Sequence, residues 1–126
     1  MEEVFAEGME VDVAVVGLGT AGSAVAAFLA EGGLSVVAFD RRPLQEAGAH
    51  WVNGVQRWML EEAQVAPPKS PELLGEGQPF HLVCGAGPER VVLRDTGILE
   101  VDMRHLVSRL QQRATLAGAE LRGEVR

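Results

Sequence analysis

The sequence is poor in cysteine and in aromatic residues. Its 126 residues include one cysteine, Cys84, and no tyrosine, and aromatic side chains make up 5% of the chain. A single cysteine excludes an internal disulfide and is typical of a reducing compartment. We therefore expect a cytoplasmic protein in which Cys84 is a small buried hydrophobe. With so few aromatic rings, the core has to be built from valine, leucine and alanine, as in a closely packed α/β layer.

The sequence also lacks long apolar runs and clusters of basic residues. The longest apolar run, Ala24–Ala30, is too short to cross a bilayer, and the acidic start Met1–Glu3 is unlike a basic secretory leader. The formal net charge of −7 repels nucleic acid and anionic membranes. We therefore expect no nucleic-acid partner and no integral membrane segment. The three histidines show no ligand spacing, so no metal site is predicted.

What remains has the composition of a folded globular protein. Hydrophobic residues make up 47% of the chain and charged residues 23%, a balance that excludes a disordered tail. The length is that of one domain. We predict a single domain over residues 1–126.

The first forty residues predict a strand, a helix and a second strand. Val11, Val13 and Val15 alternate up to Gly17 and indicate a short buried strand over 10–16. Residues 20–31 are small and apolar and are followed by two glycines, which predicts a buried helix with a glycine C-cap. Residues 34–39 read as a second strand that ends at Asp40. Tight connections between these elements predict a right-handed βαβ unit with parallel strands.

The rest of the chain gives weaker signals. Apolar residues spaced by three or four over 52–63 predict a helix, and the Pro- and Gly-rich residues 69–79 predict a surface loop. Residues 80–84 and 90–93 predict an antiparallel hairpin joined by four or five residues. The apolar spacing over 101–116 indicates an amphipathic helix, and residues 119–126 a third parallel strand.

A glycine pattern occupies the turn between the first strand and the first helix. Residues 17–22 read GLGTAG, in which Gly17 permits a tight turn, Gly19 allows a pyrophosphate to approach the backbone, and Gly22 allows the helix to pack against the strand. The helix N-terminus that follows offers N–H groups and a positive dipole end to phosphates. We therefore predict that Gly17, Leu18, Gly19, Thr20, Ala21 and Gly22 bind a dinucleotide.

An acidic residue stands where this type of site needs one. Asp40 ends the second strand 18 residues after Gly22, close to the spacing of a carboxylate that binds the adenosine ribose. Such a carboxylate repels a 2′-phosphate, which favours FAD or NAD over NADP. The adjacent Arg41 and Arg42 could contact a 2′-phosphate, the adenine or the cofactor phosphates, or could be solvated on a surface loop.

The spacing of the predicted strands favours FAD over NAD as the cofactor. The predicted third strand begins near Ala119, 79 residues after Asp40, and the interval contains a hairpin. Crossovers in a minimal NAD-binding half are short. We predict an α/β, Rossmann-like βαβ fold that binds FAD or NAD(P), with a parallel sheet that carries a hairpin insertion and is incomplete at the C-terminus. FAD is the favoured cofactor.

Two segments of the sequence resemble a known group of proteins. Residues 12–23, DVAVVGLGTAGS, together with 101–120, VDMRHLVSRLQQRATLAGAE, are similar to the FAD-dependent oxidoreductases of the glutathione-reductase-like superfamily. The resemblance is to the branch of geranylgeranyl reductases, flavin-dependent halogenases and aromatic hydroxylases. It implies that residues 48–54 lie near the isoalloxazine. It also implies an arginine that contacts the flavin nucleotide at position 103, where this chain has Met103; either Arg104 makes that contact or it is absent.

The chain departs from this branch in its length. The later Gly-Ala-Asp-Gly-type segment and the substrate domain have no counterpart, so the resemblance implies the N-terminal part of a longer flavoprotein. We expect self-association through the open sheet edge, or a second chain that completes the sheet.

Three functions are compatible with the sequence. The first is the FAD-binding region of a flavin-dependent oxidoreductase of the reductase, monooxygenase or halogenase type, with the chain inactive by itself. The second is half of an NAD-dependent dehydrogenase. The third is a non-catalytic nucleotide-binding or assembly module. The sequence identifies no catalytic residue and no substrate.

Overall fold

The computed structural model describes residues 9–125, which divide into two compact units. The first contains the described residues up to Trp51 and those from Met103 onward, and the second contains Val52–Asp102. The acidic start of the chain and Arg126, the last residue of the predicted third strand, lie outside the described residues. No helix within residues 9–125 combines the length and the apolar character needed to cross a membrane.

The first unit is built on a three-stranded parallel sheet. Its strands are β1 (Val13–Val16), β2 (Val36–Phe39) and β8 (Glu120–Arg122), in the order β1-β2-β8. Within the described chain β1 pairs with β2 alone, and Val16 at its end is 78% exposed. The predicted βαβ unit and the predicted third parallel strand are therefore confirmed, and β1 presents an open edge.

Two helices pack together beside this sheet. Helix α1 spans Thr20–Glu31, as the sequence predicts, and α3 spans Met103–Leu116. Small side chains let the two helices approach closely, among them the fully buried Ala26, Ala27 and Ala114. The buried hydrophobic residues of the described chain are alanine, valine and leucine with one methionine, which confirms the composition predicted for the core.

Polar contacts fix the register of this unit at two places. At the start of the sheet, Asp12 Oδ2 accepts hydrogen bonds from Ser35 N–H at 2.8 Å and from Ser35 Oγ at 2.7 Å. These bonds hold the pKa of Asp12 below its ordinary value. Between the helices, Arg113 binds Glu31 with Nε–Oε1 and Nη2–Oε2 distances of 2.6 and 2.9 Å. The Arg113 guanidinium carbon also lies 4.6 Å from the centroid of the Phe28 ring.

The second unit contains an antiparallel sheet that the sequence did not predict. Strand β7 (Ile98–Asp102) pairs with β3 (Val52–Gln56) on one side and β4 (Leu73–Glu76) on the other, with a bulge in β4. Only residues Arg57–Glu62 form the helix α2. The helix predicted over 52–63 is therefore wrong in its first half, because β-branched residues that fit a helical spacing also fit a strand once β7 supplies hydrogen bonds.

Two more boundaries are corrected by the same sheet. The loop predicted over 69–79 contains β4, and Val101, predicted to begin the amphipathic helix, lies in β7. The Ser70–Pro71 peptide bond before β4 is cis. Across the sheet, Arg57 Nη2 lies 2.7 Å from Glu76 Oε2.

The predicted hairpin is present, and its apolar residues are exposed. Strands β5 (Phe80–Val83) and β6 (Arg90–Leu93) pair antiparallel, and residues 84–89 join them. This connection is longer than predicted. It contains Cys84, which is exposed. The predicted burial of Cys84 is therefore wrong, because β5 ends one residue earlier and Cys84 lies in the exposed connection.

The Glu31–Arg113 pair gives the first unit a pH-dependent contact. The hydrogen bond from Arg113 holds the pKa of Glu31 below its ordinary value of 4.5. Its contribution to stability is therefore present above pH 4.5 and is lost as the pH falls through the lowered pKa. We expect Glu31→Gln to lower the melting temperature at pH 7 and to lose less on acidification to about pH 3 than the wild type does.

Melting temperatures from circular dichroism between these two pH values check this expectation. Glu46→Gln is the matched control, because Glu46 is exposed in the turn Leu44–Glu46 of the same unit and forms none of the ion pairs found among residues 9–125. The control should follow the wild-type curve. Parallel curves for Glu31→Gln and the wild type would contradict the assignment.

Candidate dinucleotide site

The glycine turn between β1 and α1 has the backbone geometry that the sequence predicts. Gly17 has a φ of +94°, a conformation that side chains disfavour, and open space lies where its Cβ would be. A Cβ on Gly22 would lie 1.8 Å from the Gly17 carbonyl oxygen. Gly22 is therefore required for α1 to start this close to the turn, as predicted.

Gly19 is confined by a residue that the sequence did not single out. A Cβ on Gly19 would lie 3.3 Å from the Cα of Gly48, and a Cβ on Gly48 would lie 2.9 Å from the Cα of Gly19 and 3.1 Å from Val107 Cγ2. Gly48 has a φ of +81°. The segment after β2 thus packs directly on the glycine turn. No periodic signal marks Gly48 in the sequence, because it lies between elements.

The N-terminus of α1 is open. Gly19 is the N-cap residue, and no side chain of the described part of the chain caps the helix. The first N–H groups of a helix have no carbonyl partner within it, so those that follow Gly19 are available to an anion. Thr20 and Ala21 are half-buried and exposed respectively. This arrangement fits a phosphate group, because it combines free donors, the positive end of the helix dipole and a turn without Cβ atoms.

Asp40 is tied to the glycine turn. Its Oδ2 accepts a hydrogen bond from Leu18 N–H at 2.8 Å, and its Oδ1 accepts one from Arg42 N–H at 2.9 Å. The sequence predicted a ribose ligand here and did not foresee the bond to Leu18. A carboxylate has about four lone-pair positions, so each oxygen can accept a further hydrogen bond from a hydroxyl group.

The basic residues of the predicted site lie at two places. Arg41 and Arg42 are exposed directly after Asp40. Arg42 lines an open groove of the first unit together with four residues of the following segment: Glu46, Gly48, His50 and Trp51. Arg104 is exposed in the first turn of α3, three residues before the Val107 that packs near Gly48. The binding roles predicted for these arginines stay predictions.

Two buried polar residues of the site lie outside the predicted set. Ser23 Oγ and Gln111 Nε2 both donate to the Leu18 carbonyl oxygen at 3.0 Å. Gln111 stands four residues after Val107 and three before Ala114, so it lies within the apolar stripe of α3. A polar residue at such a position could have indicated from the sequence that Gln111 has a buried hydrogen-bond partner. No group of three or more acidic, histidine or cysteine side chains that could hold a metal ion occurs among residues 9–125.

Solved structures of other proteins share the fold of this chain. No protein-family profile and no curated protein sequence matches the chain significantly. In structure, the chain is similar to a geranylgeranyl bacteriochlorophyll reductase-like protein from Thermoplasma acidophilum. The TM-score is 0.78 and the identity 21%, over 90% of this chain and 30% of that one.

Two further similar structures are those of a halogenase and a hydroxylase. One is the myxobacterial chondrochloren halogenase CndH, an FAD-dependent halogenase, with a TM-score of 0.64 and 18% identity over 90% of this chain and 28% of that one. The other is aklavinone-11 hydroxylase, solved with FAD and aklavinone, with a TM-score of 0.63 and 23% identity over 91% of this chain and 25% of that one.

At these identities the likeness establishes the fold. The chain has the α/β, Rossmann-type fold seen in these reductase-like, halogenase and hydroxylase structures, which confirms the predicted fold class and the predicted structural resemblance to that branch. It spans between a quarter and a third of the length of these three chains.

The contact at Gly22 predicts a severe effect of one added methyl group. In Gly22→Ala the new Cβ would lie 1.8 Å from the Gly17 carbonyl oxygen. A backbone oxygen cannot move away by a change of rotamer, as a side chain can. We expect a loss of unfolding free energy at or above the upper end of overpacking effects, about 3 kcal/mol. Urea unfolding followed by circular dichroism measures it. Gly87→Ala, with its nearest atom 3.9 Å away, is the control; equal stabilities for the two variants would contradict this geometry.

The two hydrogen bonds accepted by Asp40 predict a second stability effect. Asp40→Asn keeps one acceptor oxygen and places an NH2 group against the other N–H. We expect a loss of about 1.5–3 kcal/mol, the range for hydrogen bonds to charged groups, with faster hydrogen exchange at the Leu18 amide. Asp95→Asn is the control, because Asp95 is exposed and has a positive φ that asparagine tolerates. A wild-type Leu18 exchange rate in Asp40→Asn would contradict the bond.

Proposed function

We propose that this chain is the N-terminal FAD-binding region of a flavin-dependent oxidoreductase of the reductase, monooxygenase or halogenase type. The observation that carries the proposal is the combination of an uncapped α1 N-terminus, a glycine turn closed by Gly22, and a carboxylate on the next strand that reaches the turn. Two of the structures of similar fold support FAD as the cofactor, because CndH is named as an FAD-dependent halogenase and aklavinone-11 hydroxylase was solved with FAD.

In this proposal, each part of the site has one task towards the cofactor. The backbone N–H groups from Gly19 to Gly22 donate to the pyrophosphate, and the absence of side chains at the turn allows the approach. Asp40 accepts hydrogen bonds from the adenosine ribose through its remaining lone pairs. Arg41, Arg42 and Arg104 offset the negative charge of the phosphates. When bound, FAD would supply the redox chemistry, and the protein binds and orients it.

The proposed parent protein is longer than this chain. The three similar structures are more than three times as long as the parts of them that the chain matches, and β1 has an unpaired edge within residues 9–125. We propose that further strands, from the same polypeptide or a second chain, pair with β1. On this proposal the 126-residue chain holds FAD in the cytoplasm without catalysing a reaction by itself, and the substrate is bound elsewhere.

The carboxylate of Asp40 predicts which dinucleotides bind. We expect FAD and ADP to bind the 126-residue chain, and NADP to bind at least about tenfold more weakly than NAD, because a 2′-phosphate would lie beside Asp40. Asp40→Asn should reduce this discrimination. Quenching of flavin fluorescence measures FAD binding, and displacement of FAD measures ADP, NAD and NADP.

Three results would contradict the proposal. One is binding of NAD in clear preference to FAD, which would indicate half of a nicotinamide-dependent dehydrogenase. Another is the absence of flavin absorbance from the purified longer protein. The third is a chain that is folded by circular dichroism and binds neither dinucleotide, which would indicate a non-catalytic assembly module. Asp95→Asn serves again as the control, with unchanged discrimination expected.

A further inference from the structure

Three side chains from separate parts of the chain bind the backbone N–H and C=O groups of Leu18. Its N–H donates to Asp40 Oδ2 after β2 at 2.8 Å, and its carbonyl oxygen accepts from Ser23 Oγ of α1 and from Gln111 Nε2 of α3, both at 3.0 Å. Leu18 has no exposed surface. Its backbone groups are therefore satisfied by these side chains and not by solvent.

Gln111 makes the most distant of these contacts along the chain. It stands 93 residues after Leu18 and is 9% exposed. Its Nε2 also donates to the Leu44 carbonyl oxygen at 3.0 Å. A carboxamide NH2 has two hydrogens, so the two carbonyl groups occupy both. Gln111 thereby connects the glycine turn to the segment that follows Asp40.

The direction of the Leu18 carbonyl fixes the direction of the next N–H. A trans peptide is planar, so the N–H of Gly19 points away from the oxygen of Leu18. Ser23 and Gln111 draw that oxygen towards the buried side, between α1 and α3. The Gly19 N–H is therefore turned to the opposite side of the turn. Within the described residues no protein acceptor is found for it.

We propose that Gln111 is a positioning residue for dinucleotide binding. By holding the Leu18 carbonyl, it keeps the Gly19 N–H aimed at a phosphate group, and by holding Leu44 it keeps the segment after β2 against the turn. This inference rests on the proposed function. It adds a residue of α3 to a site that the sequence confined to the glycine turn, the end of β2 and Arg104.

The test compares two neighbouring glutamines. Gln111→Met keeps the length of the side chain and removes both donors, whereas Gln112→Met changes an exposed residue of the same helix. At a temperature where circular dichroism shows both variants folded, we expect Gln111→Met to bind FAD and ADP about fivefold to tenfold more weakly than the wild type. We also expect bound ADP to protect the Gly19 amide from hydrogen exchange less in Gln111→Met than in the wild type. Gln112→Met should match the wild type in both measurements.

A purely structural role gives a different result. It would lower the melting temperature of Gln111→Met and leave the dissociation constants within about twofold of the wild type, which would overturn the proposal. If Gln111→Met does not fold, the wild-type chain is titrated with ADP and followed by NMR. The side-chain NH2 resonances of Gln111 should then shift while those of Gln112 do not, and unshifted Gln111 resonances would overturn the proposal.

The double variant Ser23→Ala/Gln111→Met adds an independent measurement. Both side chains donate to one oxygen, so their effects on affinity should be non-additive; strictly additive effects would count against a shared role. If the folded wild-type chain binds neither FAD nor ADP, the proposed function fails and the role of Gln111 fails with it. Failure of the Gln111 proposal alone is recognised by a wild type that binds and a Gln111→Met that binds equally well.

Discussion

The hydrogen bonds on the backbone N–H and C=O groups of Leu18 connect the glycine turn with the end of β2, with α1 and with α3. Asp40 brings the end of β2 to the turn, Ser23 brings the first turn of α1, and Gln111 brings α3. A buried peptide group without partners would cost free energy comparable to a lost hydrogen bond for each orphaned atom. The close approach of Gly22 to Gly17 supports these hydrogen bonds sterically. It allows α1 to begin close enough to the turn for Ser23 to reach the Leu18 carbonyl oxygen.

Two features of the described chain leave a strand edge or apolar side chains uncovered. β1 keeps an open edge. In the hairpin, the register places Phe80 opposite Leu93 and Leu82 opposite Val91, so one face of this two-stranded sheet is wholly apolar, and all four residues are exposed. An isolated hairpin of this kind is marginally stable in water. Both features agree with the proposal of a longer flavoprotein in which other segments complete the sheet.

Sequence and structure agree best where the signal is local. Helix α1 has the bounds predicted from its small apolar residues and its glycines, and the two strands beside it were located to within a few residues. Residues 52–63 show the opposite case. Their spacing satisfies a helix, but pairing with β7, more than 40 residues away, makes the first part a strand. The same pairing partner explains why β4 was interpreted as a loop and why Val101 was assigned to α3.

The sequence by itself determined the glycine turn, the acidic end of β2 and the parallel βαβ order. Those features follow from short-range rules on glycine conformation, strand length and connection length. Only the tertiary structure decided which partners meet around the turn. Gln111, Ser23 and Gly48 reach it from separate parts of the chain, and their contacts depend on how closely α1, α3 and the segment after β2 pack. A hydrogen bond between residues 93 apart leaves no periodic mark, because it depends on distances that packing alone fixes.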